Sequence, residues 1–154
     1  YEKIAIEELF NKATHSVVVP ENIEVKINVN PPTLEANIDV EQMLQVITNL
    51  IQNSIDAINS NKGEIILEAQ TKDNYLVMTV YDNGIGIPNN NLTKIFEPFF
   101  TTKPVGKGTG LGLATVYGII KMHKGKIEVE SNADPTKGPT YTKFFIFIPQ
   151  GKGK

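Results

Sequence analysis

Apolar and polar positions alternate or recur with enough regularity to lay out most of the chain. "YEKIAIEELFNKA" places Ile4, Ile6, Leu9, Phe10 and Ala13 near helical spacing and predicts a helix over 1–13, with no capping residue ahead of it. "IEVKINVN" alternates with period two and predicts a half-buried strand, which Pro31-Pro32 ends. "TLEANI" predicts a second short strand. Asp39 is then placed as the N-cap of a long helix from Val40 to about Asn59. On that helix Val40, Met43, Leu44, Ile47, Leu50, Ile51, Ser54, Ile55 and Ile58 share one broad face, the expected core stripe. "GEIILEAQTK" and "NYLVMTVYD" predict two strands joined by a turn at Asp73-Asn74. "DNGIGIP" reads as a loop, "NLTKIFEP" as a short helix stopped before Pro98, and Gly110 to His123 as an apolar helix. "GKIEVESN" and "TKFFIFIP" close the chain as strands.

Strands and helices mixed in this order, with two hairpin-like pairs, predict a two-layer α/β sandwich of the α+β class. One mostly antiparallel sheet would be covered by helices on one face. Regular βαβ alternation, and with it a doubly wound parallel sheet, is not the pattern.

Composition narrows the function without naming it. A length of 154 residues is one domain by the usual prior. A net charge of -2 gives no basic footprint for nucleic acid or an anionic membrane. With no cysteine, disulfides and thiolate metal sites are excluded. No apolar run approaches the ~20 residues of a membrane span, and no signal peptide is visible. All 15 basic residues are lysine. Phosphate charge would therefore be met by lysine, backbone N–H groups, a helix N-terminus or a metal, and an arginine finger in cis is excluded.

Three short stretches offer chemistry. Asn49 and Asn53, four apart, are neighbours on the polar side of the long helix, where asparagine is a poor helix former. They read either as a solvated face or as side-chain carbonyls for a hard cation such as Mg²⁺. In "YDNGIGIP" a strand ends in Asp82, and Gly84 and Gly86 straddle an isoleucine. This is either an ordinary Asp-Asn-Gly turn or a carboxylate that accepts from an exocyclic amine such as adenine N6, with glycines letting backbone approach a flat ring. "GKGTGLGL" is neither a Walker A loop nor G-x-G-x-x-G. It is either a disordered loop or a set of backbone N–H groups that opens into a helix, a ready anion site, with Lys103 and Lys107 close by in sequence.

The order of these stretches resembles the catalytic, ATP-binding domain of sensor histidine kinases, in the Bergerat-fold superfamily with gyrase-type, chaperone-type and MutL-type ATPases. "NLIQNSIDAI" resembles the N box, "DNGIGIP" the G1 box, "IFEPFFTTK" the F box and "GKGTGLGL" the G2 box. The form "FEPFFTTKPVGKGTGLGLA" is most similar to the nitrogen-regulation branch. The resemblance covers roughly Ile23 to Pro149. It implies ATP and Mg²⁺ as cofactors, with Asn53 the main metal ligand and Asn49 beside it. It implies that Asp82 reads adenine N6, and that Gly84, Gly86 and Ile87 line the adenine slot. The segment from Pro98 to Gly108 would be a lid whose base is anchored by Phe99 and Phe100. Gly108, Thr109, Gly110, Leu111, Gly112 and Leu113 would meet the phosphates at the helix start, with Lys103 and Lys107 adding charge and Thr142 on the adenine side. Asn49 and Lys103 are the catalytic candidates in transfer of the γ-phosphoryl group to a histidine nitrogen.

The implied partners are a dimerisation domain carrying the acceptor histidine, within the full-length protein, and a downstream response regulator. No nucleic acid is expected, the isolated domain is expected to be a monomer, and its place is the cytoplasm whether or not the full-length protein is tied to a membrane. Residues 1–15 are read as the helical tail of the dimerisation hairpin, 16–150 as the ATP-binding domain and 151–154 as a polar tail. Asn49 stands where hydrolysing relatives carry a glutamate general base, so transfer is favoured over hydrolysis; a nucleotide-binding pseudo-kinase is the third reading. The sequence departs from the family pattern at Asp56, where Lys or Arg is usual, and at Tyr141, where a glycine usually precedes the threonine. His15 has the histidine-to-proline spacing of a phosphoacceptor box but lacks its acidic neighbour. His123 reads as a helix-end histidine favoured by the dipole.

Overall fold

Period-two burial builds the central layer. The computed structural model of the chain describes residues 1–98, 100 and 112–151. Its elements are β1 (Glu2–Ala5), α1 (Ile6–His15), β2 (Ile23–Val29), β3 (Glu35–Ile38), α2 (Val40–Ala57), β4 (Gly63–Lys72), β5 (Tyr75–Asp82), α3 (Gly112–Met122), β6 (Lys126–Asn132) and β7 (Tyr141–Pro149). Five strands form one sheet in the order β2-β4-β5-β7-β6, and β1 and β3 form a separate two-stranded sheet. Only β2 and β4 run parallel; the other pairs of the large sheet are antiparallel. This is the predicted sandwich. The parallel pair is joined through β3 and α2, a crossover of the length such pairing requires.

On β7, Thr142, Phe144, Ile146 and Ile148 are buried and the residues between them half-buried. The buried set meets the apolar stripes of the helices, which supply Leu9, Phe10, Met43, Ile47, Leu50 and Ile120, all fully buried. The α2 stripe is wider than predicted, because Val46 is also fully buried. Asp39 caps α2 as expected, its carboxylate accepting from the Gln42 N–H at 3.1 Å. Asp73 and Asn74 turn the β4–β5 hairpin at positive φ, the conformation that suits Asn and Asp.

Two predicted elements differ. Residues 2–5 are a strand rather than the start of a helix: they pair antiparallel with β3, from Glu2 against Ile38 to Ala5 against Glu35. That ladder satisfies backbone groups that an uncapped first helical turn would leave open. Helix α1 begins at Ile6, whose N–H donates to the Leu34 carbonyl at 3.0 Å. The stretch after Pro88 is a 3₁₀ turn over Asn89–Asn91 followed by successive turns, with Lys94 N–H donating to Asn91 and Glu97 N–H to Lys94. Fewer than ten residues separate the two prolines, too few to offset helix nucleation. Helix α3 is described from Gly112; the predicted start at Gly110 lies outside the described residues.

His123 is a clamp rather than a solvent-facing dipole partner. It is 5 % exposed; the Asp39 N–H donates to its Nε2 at 3.2 Å, and its Nδ1 lies 3.0 Å from the Ile119 carbonyl. An N–H can only donate and a carbonyl can only accept, so the ring carries its proton on Nδ1 and is neutral. It thereby ties the end of α3 to the N-cap of α2, with Tyr1 packed on its ring at 5.0 Å. His123→Ala should lower unfolding stability by about 1–3 kcal/mol through the orphaned Asp39 N–H, read by urea denaturation.

Candidate functional site

The G1 stretch starts where β5 ends. Asp82 is 2 % exposed, and its carboxylate accepts from the Gly84 N–H at 2.9 Å and from the Ser54 hydroxyl of α2. Burial nonetheless dominates and pushes its pKa up from 3.8 to about 6, against the opposing pull of those two bonds. The loop that follows is fixed at every step. Asn83 accepts from the Glu64 N–H at 2.8 Å. The Thr140 hydroxyl donates to the Gly84 carbonyl at 2.7 Å. The Ile85 N–H donates at 2.9 Å to the carbonyl of Ala57, the last residue of α2. The Ile87 N–H donates to the Ser131 hydroxyl at 2.7 Å.

Crowding by protein backbone accounts for the two glycines. A Cβ on Gly84 would lie 2.5 Å from the Ala57 carbonyl oxygen, and one on Gly86 would lie 2.2 Å from the Asn132 carbonyl oxygen. Protein backbone, before any ring, demands glycine at both positions, and Gly86 also has φ +80°.

Across the sheet Asp82 pairs with Thr142, and both are buried. The unusual Tyr141 does not intrude on them. It lies on the other face, stacked on Tyr81 at 6.2 Å, with its hydroxyl donating to Glu130 at 3.0 Å. Along α2 the site continues from Ser54 back to Asn53 and Asn49, both half-buried. Five residues of helix carry it about 7.5 Å. Asn49 Nδ2 donates to the Gly112 carbonyl at 3.5 Å, which brings the N box against the start of α3. That bond leaves the Asn49 carbonyl oxygen its lone pairs. A neutral oxygen set of this kind fits magnesium completed by phosphate and water, rather than zinc. Among the described residues no group of three His, Asp or Glu side chains gathers to hold a metal. Asp56, the other departure, accepts from Gln52 Nε2 at 3.1 Å on the exposed side.

Lys103, Lys107, Gly108, Thr109, Gly110, Leu111 and Phe99 lie outside the described residues. Of the residues expected at the base of a lid, Phe100 is half-buried against the core; nearby, Phe96 packs between Tyr117 at 5.5 Å and Phe144 at 6.4 Å. Leu113 is half-buried against the same core. His15, at the end of α1, is exposed, with Nδ1 2.7 Å from the Asn11 carbonyl. It lines a depression of about 720 Å³ with Glu8, Lys12 and Leu44, which includes none of the residues around Asp82. From sequence Ser54 is placed only in the core stripe, and Ser131 is not named. Ser54 carried a signal, a hydroxyl inside an apolar stripe; Ser131 carried none.

A buried carboxylate at the end of a strand, paired asparagines on the helix above it and a second helix starting beside them lie together in this α/β sandwich. Residues 38–152 match the family of histidine kinase-, DNA gyrase B- and HSP90-like ATPases, and the chain belongs to it. It is 41 % identical over 148 residues to the sensor kinase CckA of Brucella abortus, covering 86 % of this chain and 15 % of that protein. It is 41 % identical over 116 residues to the histidine-protein kinase AtoS of Escherichia coli, 75 % of this chain and 18 % of the relative. The chain thus spans under a fifth of the length of either. Among solved structures, the catalytic domain of histidine kinase ThkA superposes with a TM-score of 0.80 at 29 % identity, covering 96 % of both chains. ThkA has also been solved in complex with the response regulator TrrA. No helix among the described residues is long and apolar enough to cross a membrane.

Proposed function

We propose that the chain is the ATP-binding catalytic part of a two-component sensor histidine kinase, passing the γ-phosphoryl group to a histidine on a separate dimerisation domain. The observation that carries this reading is the buried Asp82–Thr142 pair beside Ser54 near the end of α2, with Asn49, midway along that helix, against the start of α3. Asp82 accepts the adenine amine in the loop formed by Gly84, Gly86 and Ile87. Asn53 and Asn49 would hold magnesium through their side-chain carbonyl oxygens, and the metal would supply charge neutralisation at the phosphates. The chain's own task is to bind, orient and exclude water while the P–O bond to ADP breaks and a P–N bond to the incoming imidazole forms. Asn49 cannot abstract a proton, so water is not activated at that position. Lys103 and Lys107, with the backbone of residues 108–113, would meet the phosphates. Residues 1–15 lead in from the dimerisation hairpin while sharing the core through Leu9 and Phe10, 16–150 complete the ATP-binding unit and 151–154 trail it. The domain acts in the cytoplasm as a monomer, and a response regulator receives the phosphoryl group downstream.

The test is incubation with γ-labelled ATP, with and without a separately made dimerisation hairpin. Label should reach the hairpin only, require Mg²⁺, and fall at least ~10-fold in Asn53→Ala. Label on this chain alone would place the acceptor here, with exposed His15 the first position to examine. No label on the hairpin, with ATP still bound, would make the chain a pseudo-kinase.

A further inference from the structure

Ser131, near the end of β6, is the meeting point of three groups. The Ile87 N–H lies 2.7 Å from its Oγ, the Tyr141 carbonyl oxygen 2.6 Å, and Thr142 Oγ1 3.0 Å. A serine hydroxyl has one proton and two lone pairs. The carbonyl can only accept, so the Ser131 proton goes to Tyr141. The Ile87 N–H can only donate, so it takes one lone pair. Either oxygen could donate in the contact between the two hydroxyls taken alone, but the other two bonds decide it. Thr142 must donate to Ser131.

The consequence falls on the far side of Thr142. Its single proton is spent on Ser131, so toward its neighbours it offers only lone pairs. The neighbour directly across β5 and β7 is Asp82, buried on the same face, and cross-strand partners hold their Cβ atoms roughly 4.5–5.5 Å apart. Asp82 is itself an acceptor, already engaged by Gly84 and Ser54. The Ser54 proton is engaged by Asp82 as the Thr142 proton is by Ser131, so the end of the site is lined by two acceptors, one charged and one neutral.

We propose that Ser131 is a specificity-determining positioning residue: by holding the Thr142 proton it keeps the base-binding end acceptor-only, which selects a 6-amino purine over a 6-keto purine. The inference rests on the reading of Asp82 as the purine-binding carboxylate. A freely rotating Thr142 hydroxyl could turn its proton toward a keto oxygen and blunt the discrimination that Asp82 provides. A hydroxyl locked by Ser131 cannot. The same serine fixes Ile87 from 44 residues away, so loop position and hydroxyl direction are set by one atom.

The experiment compares ATP with ITP, its 6-keto counterpart without a 2-amino group, by titration calorimetry on the parent chain and on Ser131→Ala, Ser131→Cys, Ser131→Thr and Thr142→Val. The parent should prefer ATP. Ser131→Ala should weaken ATP roughly 3–10-fold and narrow the ATP-to-ITP ratio by a similar factor, the worth of one net hydrogen bond. Ser131→Cys, a weak acceptor of similar size, should narrow the ratio without leaving a void, and Ser131→Thr should restore it. In the Thr142→Val background Ser131→Ala should no longer change the ratio, because the two act through one bond. Equal loss of ATP and ITP in Ser131→Ala and Ser131→Cys would overturn the proposal and leave Ser131 a loop anchor. A parent chain that binds both nucleotides equally would instead overturn the underlying reading of Asp82.

Discussion

Asp82→Asn should make the nucleotide-free protein more stable at pH 7.5 and, in the same molecule, cost at least ~10-fold in ATP affinity, the loss expected when a charged acceptor is replaced. The stability gain follows from burial. The folded-state pKa is raised from 3.8 to about 6, so the carboxylate is held in its charged form at a cost at neutral pH. A shift of that size corresponds to about 3 kcal/mol at full effect. The sign is fixed by the direction of the shift. The stabilising contribution of the protonated group is fully present below pH 3.8 and is lost as pH rises through about 6. Between those limits the parent's stability should fall with rising pH, and the asparagine variant should lack that slope. Asparagine keeps the Gly84 contact through Oδ1, and its amide can donate to a rotated Ser54 hydroxyl, so no polar group is orphaned. The expected rise in melting temperature is roughly 3–10 °C. ATP affinity of the parent should fall as pH drops through about 6, because the carboxylate loses its charge. Thermal melts across pH 4–8 and calorimetric titration check both halves. A variant less stable than the parent at pH 7.5 would refute the burial account, and unchanged ATP affinity would refute the adenine assignment.

How far such a site can be read from sequence depends on the range of the interactions that make it. The β4–β5 hairpin, the Asp39 cap and the α2 stripe rest on neighbours within a few positions, and all were legible. The strand at residues 2–5 was not, because its partner is β3, some thirty residues on, and its one buried apolar residue, Ile4, falls near helical spacing with the stripe of α1. The order Asn53, Asp82, Gly84, Gly86 disclosed the family because motif order survives without contacts. What those residues touch did not follow from it. A turn or a flat ring would each call for Gly84 and Gly86, and only the structure shows Ala57 and Asn132 filling the space where a Cβ would stand. Ser131 was invisible for the same reason: a serine near a strand end has no distinguishing spacing, and its importance lies in partners at Ile87 and Tyr141.

Those two glycines give the largest expected loss. Gly86→Ala should destabilise the fold by about 2–5 kcal/mol, combining left-handed backbone strain of roughly 1–2 kcal/mol with overpacking of about 1–3 kcal/mol. The steric part dominates, because the new Cβ would stand 2.2 Å from the Asn132 carbonyl oxygen and 2.8 Å from Ala133 Cα, both backbone atoms that no rotamer change can move aside. Gly86→Asn separates the two causes. Asparagine tolerates positive φ better than alanine does, so if strain were the main cost it would recover much of the stability. With a clash as the main cause it should be no better than alanine. Gly118→Ala is the control. Its added Cβ meets nothing within 4 Å among the described residues, and it sits within helix α3. It should stabilise by about 1 kcal/mol through helix propensity alone. Denaturant unfolding of the three variants reads the difference directly. ATP titration of Gly86→Ala adds the functional consequence: Ile87 is held by Ser131 one residue beyond the clash, so the loop cannot yield at Gly86 without pulling Ile87 from its hydrogen bond. A Gly86→Ala protein as stable as the parent, binding ATP with parental affinity, would mean that the loop moves freely, contrary to the four contacts that fix it to β4, β6, α2 and Thr140.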